Sequence, residues 1–153
     1  AFIIFIFCLI VTSIGNVTFF RNHKKYIRKA IRSVGSEYEL LCESSYSNSK
    51  LIEISLSNDK FYIGCVKELP IPRISNQIRL IPVFSGYRNQ EKKLIFTTQY
   101  LEVYSEIMTD KNIKSYIEMD IDLVISVEKV ISISYFDEEM YDKFNNINSS
   151  GSL

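Results

Sequence analysis

The chain has 153 residues, of which 46% are hydrophobic, and its 18 basic residues balance 18 acidic ones to a formal net charge of zero. This length fits one ordinary domain with an accessory segment. The charge is uneven, because six basic residues and no acidic residue precede Gly35, and the net acidic remainder argues against tight, non-specific binding to phosphate backbones.

The three cysteines, Cys8, Cys42 and Cys65, are widely spaced and odd in number. The chain has no C-x-x-C metal pattern, and the spacing implies no disulfide framework. Each cysteine is therefore interpreted as a small buried hydrophobic side chain rather than a reactive thiol. A reducing compartment fits this usage best.

The first twenty residues, Ala1–Phe20, contain no charged side chain and are purely apolar as far as Val11. A helix of about 20 predominantly apolar residues spans a bilayer, so this segment predicts a transmembrane helix. The alternatives are a buried core helix and a signal peptide, although the basic start and cleavage site of a signal peptide are not visible. Because the chain begins without Met, we expect it to be a fragment of a longer protein.

The next segment, residues 21–35, predicts a basic amphipathic helix, because Ile27, Ile31 and Val34 recur at helical spacing. By the positive-inside rule its charges place this side of the membrane in the cytoplasm. Its alternative role is electrostatic recognition of lipid or nucleic acid. The predicted membrane-surface residues are Arg21, Lys24, Lys25, Arg28, Lys29 and Arg32.

A bent β-hairpin is predicted over residues 51–68. Apolar and polar side chains alternate from Ile52 to Leu56, and residues 57–60 suit a tight turn. Gly64 interrupts the return strand, and a lone glycine inside a strand marks a bend or the close approach of another backbone. We expect Gly64 to let this strand close a small barrel.

The rest of the chain predicts further strands and short flanking helices. A capping box at residues 36–39 begins a helix, residues 108–115 predict a loop, and a short terminal helix is expected around Tyr141. Pro82 implies an edge position or a bulge in its strand. The further strands are expected at residues 77–84, 92–104, 120–127 and 130–136.

Two stretches resemble the sequence motifs of Sm-like proteins. The hairpin ISLSNDKFYIGCV resembles the first motif, and DLVISVEKVISI resembles the second in its hydrophobic spacing. The resemblance implies the fold but not the RNA site of that family. The Asp and Asn expected after the bent strand are replaced by residues 68–71, and the expected Arg-Gly pair is replaced by Ser126 and Val127.

Two other resemblances concern membrane proteins. The stretches KFYIGCV, LIPVFSGYR and TTQY are similar to uncharacterised bacterial membrane proteins with a cytoplasmic small-barrel domain, which implies no activity. A barrel behind a membrane helix also resembles small-conductance mechanosensitive channels. Their Gly/Ala-rich pore helix is missing from Ala1–Phe20.

These features predict a mainly β protein: a small SH3/Sm-like antiparallel barrel preceded by an N-terminal transmembrane helix and one or two short helices. The predicted domains are a transmembrane helix (1–20), a basic juxtamembrane helix (21–35), the barrel with its N-terminal helix (36–144) and a disordered tail (145–153).

The sequence predicts no catalytic residue, metal or cofactor. His23 is the only histidine and lies in the basic segment, where it is interpreted as facing solvent or headgroups. Asp120 and Asp122 share one face of a predicted strand but have no third ligand, so a solvated pair is favoured over a cation site. The five glycines form no phosphate-binding loop.

The most distinctive local motif is the turn around Gly86, a predicted structural glycine like Gly64. One interpretation is that its neighbours form a stacking and charge surface for a peptide or nucleic acid. The favoured interpretation is a glycine turn whose tyrosine packs on the barrel and whose arginine pairs with Glu91 or Glu102. The residues of the predicted surface are Tyr87, Arg88, Arg73, Arg79 and Tyr100.

The predicted function is that of a membrane-anchored cytoplasmic interaction or adaptor module, not an enzyme, with the lipid bilayer and a protein as partners. One alternative is a membrane-tethered Sm-like barrel that binds nucleic acid, although nucleic acid is a less favoured partner than a protein. The other alternative is a subunit of an oligomeric membrane channel. The oligomeric state is left open.

Overall fold

A computed structural model describes residues 23–111 and 120–150 of the chain. Within these ranges helices and strands contribute about equally, and all six strands belong to one antiparallel sheet. A 3-10 turn at Val127–Lys129 joins the last two strands. In chain order the elements are α1 (residues 23–34), α2 (Glu37–Asn48), β1 (Ile52–Leu56), β2 (Lys60–Glu68), β3 (Gln77–Arg88), β4 (Leu94–Gln99), α3 (Leu101–Lys111), β5 (Leu123–Ser126), β6 (Val130–Tyr135) and α4 (Glu138–Ser150).

The sheet is built around the long strand β3. The strand order is β4-β3-β2-β1-β6, and β5 also pairs with β3. Because β2 occupies one edge of β3, β5 and β4 share the other edge: β5 pairs with Gln77–Leu80 and β4 with Phe84–Arg88. The core lies between this sheet and α2. Its buried members are Cys42, Ile52, Ile54, Val66, Ile78, Leu80 and Ile125.

The predicted fold class, a mainly β SH3/Sm-like barrel behind a transmembrane helix, is wrong. Residues 23–111 and 120–150 contain four helices in addition to the sheet. The last of them, Glu138–Ser150, extends through residues 145–150, which were assigned to a disordered tail.

The clearest local error concerns residues 92–104, which were predicted as one strand. The strand β4 ends at Gln99, and α3 runs from Leu101 to Lys111, into the predicted loop. The physical reason is helical spacing: Tyr104 is buried against Ile81, and Ile107 and Met108 pack beside it. Tertiary burial of this face overrides the strand propensity of the preceding residues.

The predicted single-pass membrane localisation is also corrected. Among residues 23–111 and 120–150, no helix is both long enough and apolar enough to cross a bilayer. The predicted span, Ala1–Phe20, lies outside the described residues. Membrane anchoring is therefore not part of the function proposed below.

The basic helix α1 packs against the protein. Ile31 is completely buried. Arg32 donates hydrogen bonds from Nη2 to Oε1 of Glu43 on α2 (2.9 Å) and from Nε to Oε2 (3.3 Å). The Nε of Arg28 lies 3.8 Å from the same carboxylate, whose side chain is only 6% exposed. Two of the predicted membrane-surface residues thus pair with a buried acid.

The predicted hairpin is present, and Gly64 lies in β2 directly against the backbone of β3. The pairing register shifts between Ile63 and Gly64, which is the irregularity of a β-bulge. A Cβ atom on Gly64 would overlap the carbonyl oxygen of Ile81 on β3. Since no described glycine has a positive φ, the requirement at Gly64 is space and not backbone conformation.

The carboxylate of Glu39 fastens α2 to the loop before β3. Its Oε2 accepts hydrogen bonds from the backbone N of Ser36 (2.6 Å) and from Ser36 Oγ (2.9 Å), which completes the predicted capping box. Its Oε1 accepts a hydrogen bond from the backbone N of Arg73 (2.8 Å), a residue with a φ of 61°. Burial raises the pKa of Glu39, but the hydrogen bonds from Ser36 and Arg73 outweigh it and lower the pKa below its ordinary value.

We expect the substitution Gly64→Val to lower the free energy of unfolding by about 2 kcal/mol or more, because the new side chain forces β2 and β3 apart. Urea unfolding of the full chain measures the effect. Ser132→Val on the exposed part of β6 is the matched control and should change stability by less than about 0.5 kcal/mol. Equal stability of Gly64→Val and the parent would show that the strands do not need this close approach.

We expect Glu39→Gln to lower the free energy of unfolding at pH 7 by about 2 kcal/mol, because an amide cannot accept all the hydrogen bonds of the buried carboxylate. The folded-state pKa of Glu39 lies below the unfolded value of about 4.3. Its contribution is therefore complete at neutral pH and is lost as the pH falls below that value.

The measurement is urea unfolding at pH 7 and pH 3, where the difference between parent and Glu39→Gln should shrink. Glu37→Gln, in the same helical turn but exposed, is the control and should have little effect at either pH. A pH-independent difference would contradict the role assigned to the charge.

Candidate functional site

The predicted stacking and charge surface is dispersed along the molecule. Arg79 and Arg88 lie nine positions apart on β3, which corresponds to about 30 Å of strand. Arg88 pairs with Glu53 on β1 and donates a hydrogen bond from Nη1 to the carbonyl oxygen of Lys92 (3.0 Å). Beside it, Tyr87 is 47% exposed.

The other three residues of that predicted surface hold structural positions. Arg73 donates from Nε to the carbonyl oxygen of Val34 (3.1 Å), which joins its loop to α1. Arg79 pairs with Glu68 (3.2 Å) and with Asp122 (3.1 Å). Tyr100 lies between β4 and α3, and its hydroxyl is 3.1 Å from Oγ of Ser85 on β3.

Four of the predicted membrane-surface residues remain to be placed. Lys24 donates a hydrogen bond from Nζ to the hydroxyl of Tyr46 (2.9 Å). Lys25 and Lys29 are exposed on α1, and Arg21 lies outside the described residues.

A groove between β4 and α4 forms the first candidate site, here called the aromatic groove. It encloses about 430 Å³, and Thr97, Thr98 and Gln99 of β4 border it. Two acidic side chains of α4, Glu138 and Asp142, stand at its rim. Its aromatic lining consists of Phe84, Phe96, Phe136 and Tyr141.

Phe96 is the centre of the aromatic groove. Its ring lies edge-on to Phe84 (centroids 5.7 Å apart) and to Tyr141 (5.5 Å), and Phe136 is 6.5 Å away. Behind it, Phe61 of β2 provides a completely buried base at 5.3 Å. Phe96 is nevertheless 39% exposed, so an apolar surface on a rigid support is open to a ligand.

The position of β4 in the sheet explains why the groove is open. In the described part of the chain β4 pairs only with β3, so its outer edge keeps unpaired backbone donors and acceptors. The groove therefore combines an aromatic surface with a strand edge.

A second cavity, which is apolar and measures about 560 Å³, lies between β2, β3, α2 and α3. Its floor is contributed by two neighbouring strands, and Tyr104 of α3 closes it with only 4% of its surface exposed. Burial raises the pKa of Tyr104 to about 12. The principal lining residues are Cys65, Val66, Ile81, Val83, Leu101 and Tyr104.

Of the two acidic residues considered as a cation site, Asp122 occupies ion pairs and Asp120 is exposed. Asp122 accepts a hydrogen bond from Nζ of Lys67 (2.7 Å) and also pairs with Arg79. The hydrogen bond from Lys67 lowers the pKa of Asp122. Among residues 23–111 and 120–150 no group of three His, Cys, Asp or Glu side chains is placed to hold a metal ion.

No known protein family, curated protein or solved structure matches this chain. The resemblances noted in the sequence therefore remain predictions, and the sites are interpreted from their own geometry.

Sequence reasoning missed the aromatic groove. The sequence predicts Tyr141 in a short terminal helix and Phe96 in the strand at residues 92–104, and nothing in it connects the two. The available signal was the aromatic content of two separate stretches, Phe96 on β4 and Phe136 to Tyr141 near α4. Only their pairing in space, through contacts of 5.5 to 6.5 Å, makes them one site.

The two described cysteines are expected to differ in reactivity. Cys42 is fully buried, and burial raises its pKa to about 12, whereas Cys65 is partly exposed and its pKa is raised by the same cause. Because the thiolate is the reacting species, N-ethylmaleimide should label Cys65 slowly at pH 7 and faster at pH 9. Cys42 should react only after unfolding in urea.

Peptide mass spectrometry, which resolves each cysteine separately, measures both rates. Labelling of Cys42 in the folded chain at the rate of Cys65 would contradict the assigned burial.

Proposed function

We propose that this protein is a non-catalytic interaction module that binds an extended segment of a protein partner in the aromatic groove. The observation that carries the proposal is Phe96, an aromatic side chain with a buried base that stays 39% exposed on an edge strand. Aromatic anchors in preformed pockets contribute much of the binding energy of protein interfaces.

The strand edge supports an extended conformation of the bound segment. A peptide that adds to a free edge strand gains main-chain hydrogen bonds, and pockets beside the strand select its alternate side chains. The outer edge of β4 supplies the hydrogen bonds, and the pocket around Phe96 receives an aromatic or large aliphatic side chain of the partner.

The acidic rim supports a basic residue in the partner. Glu138 and Asp142 border the groove and are exposed, so a Lys or Arg near the apolar anchor meets complementary charge. The same acids disfavour nucleic acid in this groove, because phosphate backbones repel carboxylates.

The test is a selection of random ten-residue peptides on the immobilised full chain, followed by fluorescence anisotropy with the enriched peptides. We expect enrichment of a large apolar residue close to Lys or Arg. Phe96→Ala and Asp142→Lys should each weaken binding about tenfold. Glu139→Lys, an identical type of charge change on the same helix but outside the groove lining, should have less than a twofold effect.

Two results would overturn this function. The first is a selection without enrichment, or with peptides that bind Asp142→Lys as tightly as the parent. The second is salt-dependent binding of a labelled 20-nucleotide strand that Phe96→Ala abolishes, which would make the groove a nucleic-acid site.

A further inference from the structure

One face of the sheet changes from apolar to basic along two neighbouring strands. Alternate residues of a strand share a face. On β2, Cys65 lines the apolar cavity, and Lys67 follows it on the same face. On β3, Ile81 lines the apolar cavity, and Arg79 precedes it on the same face. The two strands pair at Cys65 and Ile81, so the change from apolar to basic occurs at the same level on both.

The basic end is a second pocket of about 250 Å³ between this face and α1. It is lined by Lys24, Lys67 and Arg79, together with His23. Two carboxylates are close to these cations: Asp122 pairs with Lys67 and with Arg79, and Glu68 pairs with Arg79. Among residues 23–111 and 120–150, the three cations of this pocket outnumber the two carboxylates paired with them.

Tyr46 of α2 connects the two ends, because it lines both the basic pocket and the apolar cavity. Its hydroxyl accepts the hydrogen bond from Lys24, whose Nζ lies 5.6 Å from the centre of the ring. Lys24 is thereby held at the junction of the two pockets. We call the apolar cavity and the basic pocket together the trough.

The apolar end offers little to a polar ligand. Val66, Ile81 and Val83 are each less than 10% exposed, and the hydroxyl of Ser45 already donates to the carbonyl oxygen of Lys50 (2.6 Å). Protein interiors contain few voids larger than a water molecule, and apolar cavities take up apolar molecules in preference to water. A volume of about 560 Å³ lies within the range of small-molecule sites.

We propose that the trough binds an anionic amphiphile with a single aliphatic chain, of the fatty-acid class. The chain occupies the apolar cavity between the sheet and α3, and the anionic head lies beside Lys24, Lys67 and Arg79. This site is separate from the aromatic groove and does not depend on the proposed peptide binding. A neutral hydrophobic molecule leaves the basic end unused, and a free phosphate leaves the apolar cavity empty, so neither matches the whole trough.

The test is isothermal titration of the full chain, freed of bound lipid, with dodecanoate below its micellar concentration, with 1-dodecanol and with inorganic phosphate. We expect one dodecanoate per chain, about tenfold weaker binding of 1-dodecanol, and phosphate binding at least a hundredfold weaker than that of dodecanoate. Saturable phosphate binding as tight as that of dodecanoate would overturn the proposal, because the apolar cavity would then contribute nothing.

Variants separate the two ends of the trough. Lys24→Glu should weaken dodecanoate about tenfold and leave 1-dodecanol within twofold. Lys25→Glu, the same change on the same helix but outside the pocket lining, should leave both unchanged. Leu101→Trp, at a partly exposed position of the cavity, should weaken both ligands. Equal effects of Lys24→Glu and Lys25→Glu on dodecanoate binding would show that the overall charge of the helix attracts the carboxylate. That result would overturn the assigned head site.

Cys65 provides an independent readout that needs no substitution. Because its side chain lines the apolar cavity, saturating dodecanoate should slow labelling of Cys65 by N-ethylmaleimide at least fivefold, whereas phosphate should leave the rate unchanged. An unchanged labelling rate at saturating dodecanoate would place the ligand elsewhere and overturn the proposal.

Discussion

The structure depends on the close pairing of β2 and β3, whose backbones approach at Gly64 without space for a side chain. This contact holds the longest strand, β3, against the hairpin formed by β1 and β2. Because β2 occupies one edge of β3 over most of its length, β5 and β4 divide the other edge between them. The strands that contribute to the candidate sites, β2, β3 and β4, are thereby held in one sheet.

The two candidate sites use this arrangement in different ways. The aromatic groove forms because β4 ends the sheet and presents Phe96 above the buried ring of Phe61. The trough forms on one face of β2 and β3, between these strands and the helices α1, α2 and α3. One site is therefore a strand edge suited to a polypeptide, and the other is an apolar cavity beside a basic pocket, suited to a small amphiphile.

Contacts with buried carboxylates of α2 fix the position of the basic helix α1. Glu43 receives Arg32 and lies near Arg28, and Glu39 joins α2 to the loop that carries Arg73. Burial of unpaired carboxylates would be costly, so these contacts hold α1 and the loop in one arrangement. The consequence for function is that Lys24 is directed to Tyr46 at the junction of the trough.

The amino-acid sequence by itself determined the elements that short stretches of residues specify, namely the start of α2 and the hairpin of β1 and β2. The capping box at Ser36 and Glu39 and the alternation from Ile52 to Leu56 predict elements that the structure contains, and Gly64 marks the irregular pairing of β2 with β3. Tertiary structure decided what residues 101–111 become, since burial of Tyr104 against Ile81 selects a helix. It also decided both sites, because the contact of Phe96 with Tyr141 and the alignment of Cys65 with Ile81 join residues that are distant in the chain. Such contacts join side chains of separate elements, and the spacing of residues within one element does not specify which other element it meets.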